Sequence, residues 1–477
     1  MFQKIRQIAN NPKWIEILFY CLILTFPFGS HLLSFSLSFM TIYPHLIVLL
    51  VLSGLCFFAK SKVNSTIEKY FLLLMLAILL FSLVYLPFVS GKKNAIIDIR
   101  SIALMLMTSY VLVSVSKIIG YEKWRSILSF SLKLIFALVV LFSIFEMLTK
   151  IHFVGAFTHD VSIRGLDDFL LRTPVFLWDN PNNLVAYLIL IGLAILLLEK
   201  PSVSKKILTG LILTTVFFIS FICQARLGIL VSISIASVFF LYLLWEFIST
   251  AALSKKRIVV VCSSGLVLGI LIVLFSKEKF YKIPDHQLRH SNEAVLVYSV
   301  VKDSITNAEY VVKNDRDSVL LSERDTTKEK VVHSRNNTNS ENERLALLKN
   351  GIDFLVQSKF MGVGPGQYRE LHETNKIKNF AHGNNSAHFW LLELFSQYGI
   401  FIFLGYVILL LWIFIASLKA IKTNLESTTY FAMALIGFVG ASCLPSGFLI
   451  LDINWIFVAV LVVVAANLQK INPSAND

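Results

Sequence analysis

Long apolar segments recur along this chain so often that water cannot be its only solvent. A helix needs about 20 mostly apolar residues to cross the hydrocarbon of a bilayer. Segments of this kind run over roughly 14–29, 43–59, 70–88, 98–116, 126–148, 182–198, 207–223, 227–247, 258–275, 387–416, 430–446 and 452–468. Of the 477 residues, 56% are hydrophobic and 15% charged, against about 45–50% and about 25% in soluble proteins. The expected fold class is an all-α polytopic membrane protein. It has about 12 transmembrane helices and one large extracytoplasmic loop containing an amphipathic helix. No small-residue cleavage site follows the first apolar segment, which is therefore read as a retained helix rather than a signal peptide.

The net charge is +13. In a soluble chain such a balance points to nucleic acid. Here the charges fall in short loops, where Lys and Arg set topology, and no nucleic-acid partner is expected. If the N-terminus is cytoplasmic, the segments on that side hold 18 Lys and Arg, against 7 in the short segments opposite. This bias predicts cytoplasmic termini. It divides the chain into helices one to nine over 1–275, with an outer loop at about 149–181; a large extracytoplasmic loop over 276–386; and helices ten to twelve with a cytoplasmic tail over 387–477.

Within the large loop, 276–339 is polar with short β-prone runs, and little regular structure is expected there. Residues 341–358 place Leu345, Leu348, Ile352 and Leu355 at helical spacing, the mark of an amphipathic helix. Gly362-Val363-Gly364-Pro365-Gly366 follows, a turn by its glycine and proline chemistry. Cys21, Cys56, Cys223, Cys262 and Cys443 lie in or beside apolar segments without metal-ligand spacing, and are read as packing or lipid-facing residues. The pair Asp167-Asp168 is too little to define a metal site, and none is expected.

Ionisable groups at membrane depth are costly and mark functional candidates. Arg226 occupies the tight break Cys223-Gln224-Ala225-Arg226-Leu227-Gly228 between two apolar segments. A guanidinium there can grip a phosphate through paired hydrogen bonds, or snorkel to lipid headgroups. Arg344 opens the amphipathic helix and alone reads as a solvated arginine. Arg164 and Arg172 lie in the other outer loop. Trp178-Asp179-Asn180-Pro181-Asn182-Asn183 has the form of a helix start, whose amides suit a sugar and whose free N–H groups suit an anion. His388 stands where the chain re-enters the membrane. Its imidazole can take a proton from a hydroxyl or serve structure alone. Glu393, five residues on, is turned away from it on a helix. No Gly-x-Ser-x-Gly, His-Glu-x-x-His or P-loop pattern occurs.

In order along the chain, Arg344-Leu345, Gly351, Gly362-Val363-Gly364-Pro365-Gly366-Gln367-Tyr368, His388, Leu392 and Gly399-Ile400 resemble the signature of the O-antigen ligase/polymerase family of bacterial membrane proteins. Arg226 resembles the family's Ser-Arg-Gly-type motif, and Asn180-Pro181-Asn182 its asparagine-rich helix entry. Phe389 stands where the family's asparagine follows the histidine. The resemblance implies a glycosyltransferase of the bacterial cytoplasmic membrane, working on its outer side. The donor would be a glycan on undecaprenyl diphosphate. The acceptor would be a sugar hydroxyl, on another lipid-linked unit (polymerase, the expectation here) or on a different anchor (ligase). The resemblance implies no metal or nucleotide cofactor. It implies catalytic roles for His388, Arg226 and Arg344, and substrate contacts at Asn180, Asn182, Arg164, Arg172, Gly364 and Gly366. Expected partners are the lipid-linked glycan, membrane lipids and other polysaccharide-assembly proteins. The alternative of a different class is a flippase or transporter, which predicts ionisable groups at mid-membrane. The exceptions within the apolar segments, Glu16, Lys133 and Glu146, fall mostly near segment ends. A receptor or scaffold reading is opposed by the low aromatic density of the large loop.

Overall fold

The computed structural model of the chain describes residues 11–27, 35–37, 40–59, 63, 65–149, 151, 173–178, 180–223, 225–250, 301–302, 309–312, 318–322, 340–374, 376–379, 389–419, 425–444 and 452–471. The first eight helices are α1 (Pro12–Thr25), α2 (Pro44–Phe58), α3 (Thr66–Tyr85), α4 (Lys92–Ile118), α5 (Tyr121–Thr149), α6 (Pro181–Leu198), α7 (Val203–Ile222) and α8 (Arg226–Thr250). Then come α9 (Ser340–Gln357), α10 (Gln367–Glu373), α11 (Trp390–Lys419), α12 (Leu425–Ala441) and α13 (Asp452–Ile471). Eleven of the twelve apolar segments are thus helical, and the segment 258–275 lies outside the described residues. Among the described residues, seven helices are long and apolar enough to cross a bilayer by length and composition, and three more are apolar but shorter. The chain is a multi-pass membrane protein.

Local chemistry fixes several helix starts. Proline opens α1, α2 and α6, where its missing N–H costs nothing and its fixed φ suits the first turn. The side chain of Asn11 accepts the Lys13 N–H at 3.1 Å, Asn180 that of Asn182 at 2.8 Å, and Ser202 that of Lys205 at 3.1 Å. Each cap supplies an acceptor to an N–H that the helix leaves unpaired.

Two helices are apolar all round and form the centre. Every residue from Leu184 to Leu198 of α6 is buried, as is every residue from Ile453 to Ala466 of α13. Helix α6 packs on α5, α7, α12 and α13, while α13 packs on α3, α4, α6 and α11. Gly437 and Gly440 of α12 abut Ile235 and Val231 of α8, and Gly437 also meets Leu193 of α6. Small residues here let backbones approach, the means by which helices associate without a hydrophobic driving force.

The two ends of the bundle differ in chemistry. One end carries ion pairs: Lys123–Glu16 at 2.6 Å, Lys117–Glu68 at 2.5 Å, Lys133–Glu199 at 2.6 Å, Arg125–Glu122 at 2.9 Å, Lys200–Glu122 at 3.0 Å, Lys205–Glu426 at 3.8 Å, and Lys206–Glu246. Apart from Lys133, which lies further along α5, these residues fall near the starts of α1, α3, α5, α7 and α12, or near the ends of α4, α6 and α8. Successive helices therefore run in opposite directions. At the opposite end, Glu146 in the last turn of α5 is fully buried. Its carboxylate accepts the backbone N–H groups of Val175 at 2.8 Å and Phe176 at 2.7 Å. Phe176 stacks on Phe142 with ring centroids 5.1 Å apart, and Trp178 lies against Tyr187 at 4.3 Å. Residues 173–178 thus dip into the bundle, and Glu146 anchors them.

The all-α expectation needs two additions. Strands β1 (Phe35–Leu37) and β2 (Met40–Ile42) pair antiparallel ahead of α2. Strands β3 (Val301–Lys302), β4 (Glu309–Val312) and β5 (Ser318–Ser322) form an antiparallel sheet in order β3-β4-β5. These strands fall on or beside the short β-prone runs read in 276–339, and the rest of that stretch lies outside the described residues. The sheet's register pairs Tyr310 with Leu320 and Val311 with Val319, with an irregularity at Glu309/Tyr310. Short β-prone runs leave backbone N–H and C=O groups unmet on their own, and pairing between strands satisfies them.

Replacing Glu146 by Leu removes the acceptor of two buried N–H groups. Bonds to a charged acceptor are worth about 1.5–3 kcal/mol. A clear fall in the thermal unfolding midpoint of the detergent-solubilised protein is expected, with early proteolysis around 173–178.

Candidate functional site

Helix α9 is the amphipathic helix of the large loop, but it docks by a different face from the one anticipated. Leu347, Asn350, Phe354 and Leu355 are buried, whereas Leu345, Leu348 and Ile352 are exposed. The reason is Gly351: a side chain there would collide with Leu392 of α11, whose Cδ2 is 2.8 Å from an ideal Cβ position. The absent side chain makes the notch that admits Leu392. Leu347, Phe354, Leu355, Tyr368 and Leu392 then form a small core separate from the main one. The exposed stripe of Leu345, Leu348, Ile352 and Val356 is followed by exposed Phe360 and Met361. Phe360 accepts a hydrogen bond from Ile400, beside the exposed Phe401 and Leu404 of α11. This stripe continues toward the outward-facing apolar side of α11.

The glycine-rich turn is spliced into α11. That helix breaks at Gly399, with φ 76° and ψ −177°. The break leaves backbone groups without helical partners, and the turn supplies them. Val363 N–H donates to Ser396 O, Gly364 N–H to Gln397 O and Ile400 N–H to Phe360 O, each at 2.9 Å. Gly362 has φ +87°, and a Cβ on it would lie 2.5 Å from Gln397 O. Conformation and contact both demand glycine there. The apolar segment 387–416, expected as one span, is therefore two pieces. Residues 400–419 of the second piece would run about 30 Å, enough to cross alone.

On its other side the turn is tied to the start of α4. Gly366 N–H donates to Asp98 Oδ2 at 2.8 Å, and Arg369 lies within electrostatic reach of that carboxylate. Ser90 Oγ donates to Gln367 Oε1 at 3.0 Å, and Asn94 Nδ2 donates to Glu370 and Glu373 at 2.9 Å each. Within the unit, Tyr368 OH donates to Leu347 O at 2.7 Å. His372 Nδ1 donates to Tyr368 O at 2.8 Å, so its Nε2 accepts from Asn350 Nδ2 at 3.1 Å. Asn350 also donates to Asn379 O and accepts from the Asn379 N–H and Nδ2. Burial pulls the His372 pKa below the usual imidazole range, against the opposing pull of its bond to Tyr368. Burial, with Glu393 nearby, pushes the Tyr368 phenol up.

Arg226 and Arg344 fall at this same end of the bundle. Helices α8 and α12 run antiparallel, with Val231 against Gly440, Ile235 against Gly437 and the Phe239 ring 6.3 Å from Tyr430. Arg226, five residues before Val231, therefore stands level with the end of α12. Arg344 lies within electrostatic reach of Cys443, just past that end. Both arginines are exposed. Asn180 caps α6, and Asn182 is half-buried in its first turn. Gly364 and Gly366 abut Val89 and Asn94, which gives them a part in docking the turn. His388, Arg164, Arg172, Asn384 and Asn385 lie outside the described residues. Among the described residues, no group of three or more His, Cys, Asp and Glu is arranged to hold a metal.

Two groups of this end were not singled out in the sequence. Asp98 opens an apolar segment close to Lys92, Lys93 and Arg100. Its signal was a lone acid among apolar neighbours in Ile96-Ile97-Asp98-Ile99. His372 and Asn350 gave no signal, since they meet only in the fold.

Residues 211–407 match a family model described as O-antigen ligase. That stretch runs from α7 through α8, α9, the glycine turn and half of α11. Over it, the chain is similar to that family. The chain is also 31% identical over 135 residues to the teichuronic acid biosynthesis protein TuaE of Bacillus subtilis (strain 168). That likeness covers 27% of this chain and 27% of the relative.

Gly399→Ala forces a side chain into a left-handed backbone and against Met361. The conformation alone costs roughly 1–2 kcal/mol, so loss of turn docking is expected, seen as rapid proteolysis near 358–366. Acid should also loosen the unit. Unfolded, His372 takes up a proton near pH 6.5; folded, it does so only at lower pH. As pH falls through 6.5 toward the folded value, the unfolded form gains and stability drops. Hydrogen-exchange protection in α10 should therefore be higher at pH 7.5 than at pH 5.5, with the difference much reduced in His372→Gln.

Proposed function

We propose that this chain is a membrane glycosyltransferase that polymerises undecaprenyl-diphosphate-linked repeat units of a cell-surface polysaccharide. It works on the outer side of the bacterial cytoplasmic membrane, with both termini cytoplasmic. The observation that supports the reading is that Arg226, by the pairing of α8 with α12, and Arg344, by its electrostatic reach to Cys443, both fall toward the C-terminal end of α12. The Lys and Arg bias in the loops assigns the ion-paired end to the cytoplasm.

In the proposed reaction, the acceptor sugar hydroxyl attacks the anomeric carbon of the donor glycan. The bond from that carbon to the phosphate oxygen breaks, and undecaprenyl diphosphate leaves with the electron pair. His388 takes the hydroxyl proton. Negative charge grows on the departing diphosphate, and Arg226 and Arg344 stabilise it as fixed cations. The N-terminus of α8, which begins at Arg226, adds a positive helix end in the same place. Preorganised charge of this kind is commonly the largest catalytic term. In this scheme no metal or nucleotide takes part. Asn180, Asn182, Arg164 and Arg172 contact the glycan, and other polysaccharide-assembly proteins supply the lipid-linked units. The exposed apolar stripe of α9 would rest on the outer leaflet, holding Arg344 at headgroup depth, where a polyprenyl diphosphate lies.

The family's description as a ligase favours a second reading, transfer of a finished glycan to another acceptor. A deletion strain separates the two. Short single repeats on the usual anchor mean a polymerase, and full-length glycan stranded on its lipid carrier means a ligase.

In proteoliposomes supplied with lipid-linked repeats, Arg226→Ala and Arg344→Ala should each lower turnover by about 10²–10³-fold. His388→Ala should lower it by about 10²–10⁴-fold. Full activity in any of these variants removes that residue from the mechanism.

A further inference from the structure

A lateral groove of about 560 Å³ opens on the outer face of the bundle, lined by Val63, Lys69, Leu72, Leu73, Leu76, Leu106, Met107 and Tyr110. Its α3 residues precede the C-terminal end of that helix, where Tyr85 meets Gly364 of the glycine turn. Helix α3 forms one wall through Lys69, Leu72, Leu73 and Leu76, a series at spacings of three and four residues that shares one helix face. Helix α4 contributes Leu106, Met107 and Tyr110. The volume falls in the range of small-ligand pockets, roughly 300–1,000 Å³. Leu73 and Leu76 are exposed, so the groove opens sideways, toward where lipid would lie.

Its charge is placed at one level only. Lys69 is in the first turn of α3, next to Glu68, which is already paired with Lys117. Lys69 has no carboxylate partner among the described residues and is exposed. The groove is therefore an apolar trough with an uncompensated cation at the ion-paired end of the bundle. Basic pockets between transmembrane helices on the cytoplasmic side suit anionic headgroups.

We infer that this groove is a binding site for an anionic glycerophospholipid of the cytoplasmic leaflet. One acyl chain lies along Leu72, Leu73, Leu76, Leu106 and Met107, and the phosphate is held by Lys69. The site is separate from the reaction centre and does not depend on the proposed chemistry.

The test is lipid retention by the full-length protein. Nanodiscs of phosphatidylcholine doped with phosphatidylglycerol are prepared, the protein is released into the gas phase, and bound lipids are counted by native mass spectrometry. The wild type should keep phosphatidylglycerol in preference to phosphatidylcholine. Lys69→Glu should lower that preference by roughly fivefold or more, the worth of one cation near an anionic surface. Leu73→Trp fills the trough and should lower retention of both lipids. Both positions are lipid-facing, and an unchanged unfolding midpoint in detergent verifies that each variant folds. Equal retention of the two lipids by the wild type would overturn the site. So would a wild-type lipid complement in either variant.

Discussion

Three backbone hydrogen bonds join the glycine turn to the break in α11: Val363 to Ser396, Gly364 to Gln397 and Ile400 to Phe360. At membrane depth an unmet N–H or C=O costs several kcal/mol. A helix interrupted there survives only where neighbouring protein takes over its bonds. The turn performs that service, and the break in return fixes the turn. Everything N-terminal to it, from Arg344 through the small core of α9 and α10, is held by this splice together with the ties from Gly366, Gln367 and the acids of α10 to Asp98, Ser90 and Asn94.

The bundle carries two kinds of electrostatic work at its two ends. At one end Lys and Arg are paired with Glu, which leaves their charges largely balanced. At the other, Arg226 and Arg344 are exposed, and Glu146 spends its charge on backbone N–H groups. A cation already paired with a carboxylate is poorly suited to bind a further anion; an exposed one is better suited. The same contrast singles out Lys69 at the ion-paired end, where Glu68 belongs to Lys117.

Core packing explains why the centre tolerates no polar face. Helices α6 and α13 are surrounded on all sides, so over 184–198 and 453–466 nearly every position takes an apolar or small residue, with buried Asn454 the polar exception. The helices around them show stripes instead, with Leu211, Leu230, Leu241 and Phe401 among the side chains left facing outward. Close approach of α12 to α8 and α6 relies on Gly437 and Gly440, and this approach sets the height of Arg226 relative to the end of α12.

The sequence by itself determined the membrane class, twelve of the thirteen helices that the structure describes, their alternation and the position of the glycine turn. Those features follow from local chemistry: apolar length, proline and asparagine at helix starts, and glycine where φ is positive. It also pointed to Arg226 and Arg344, and only the family resemblance joined them as a pair. Only the tertiary structure decided which face of α9 is buried, that α11 breaks at Gly399, that 301–322 pairs into a sheet, and that Asp98 and His372 serve the turn. Each of these rests on contacts between residues far apart in the chain. Gly351 becomes a notch only when Leu392 is beside it, and Asp98 becomes an acceptor only when Gly366 reaches it. Periodicity records what one segment can bury, and the fold decides against what.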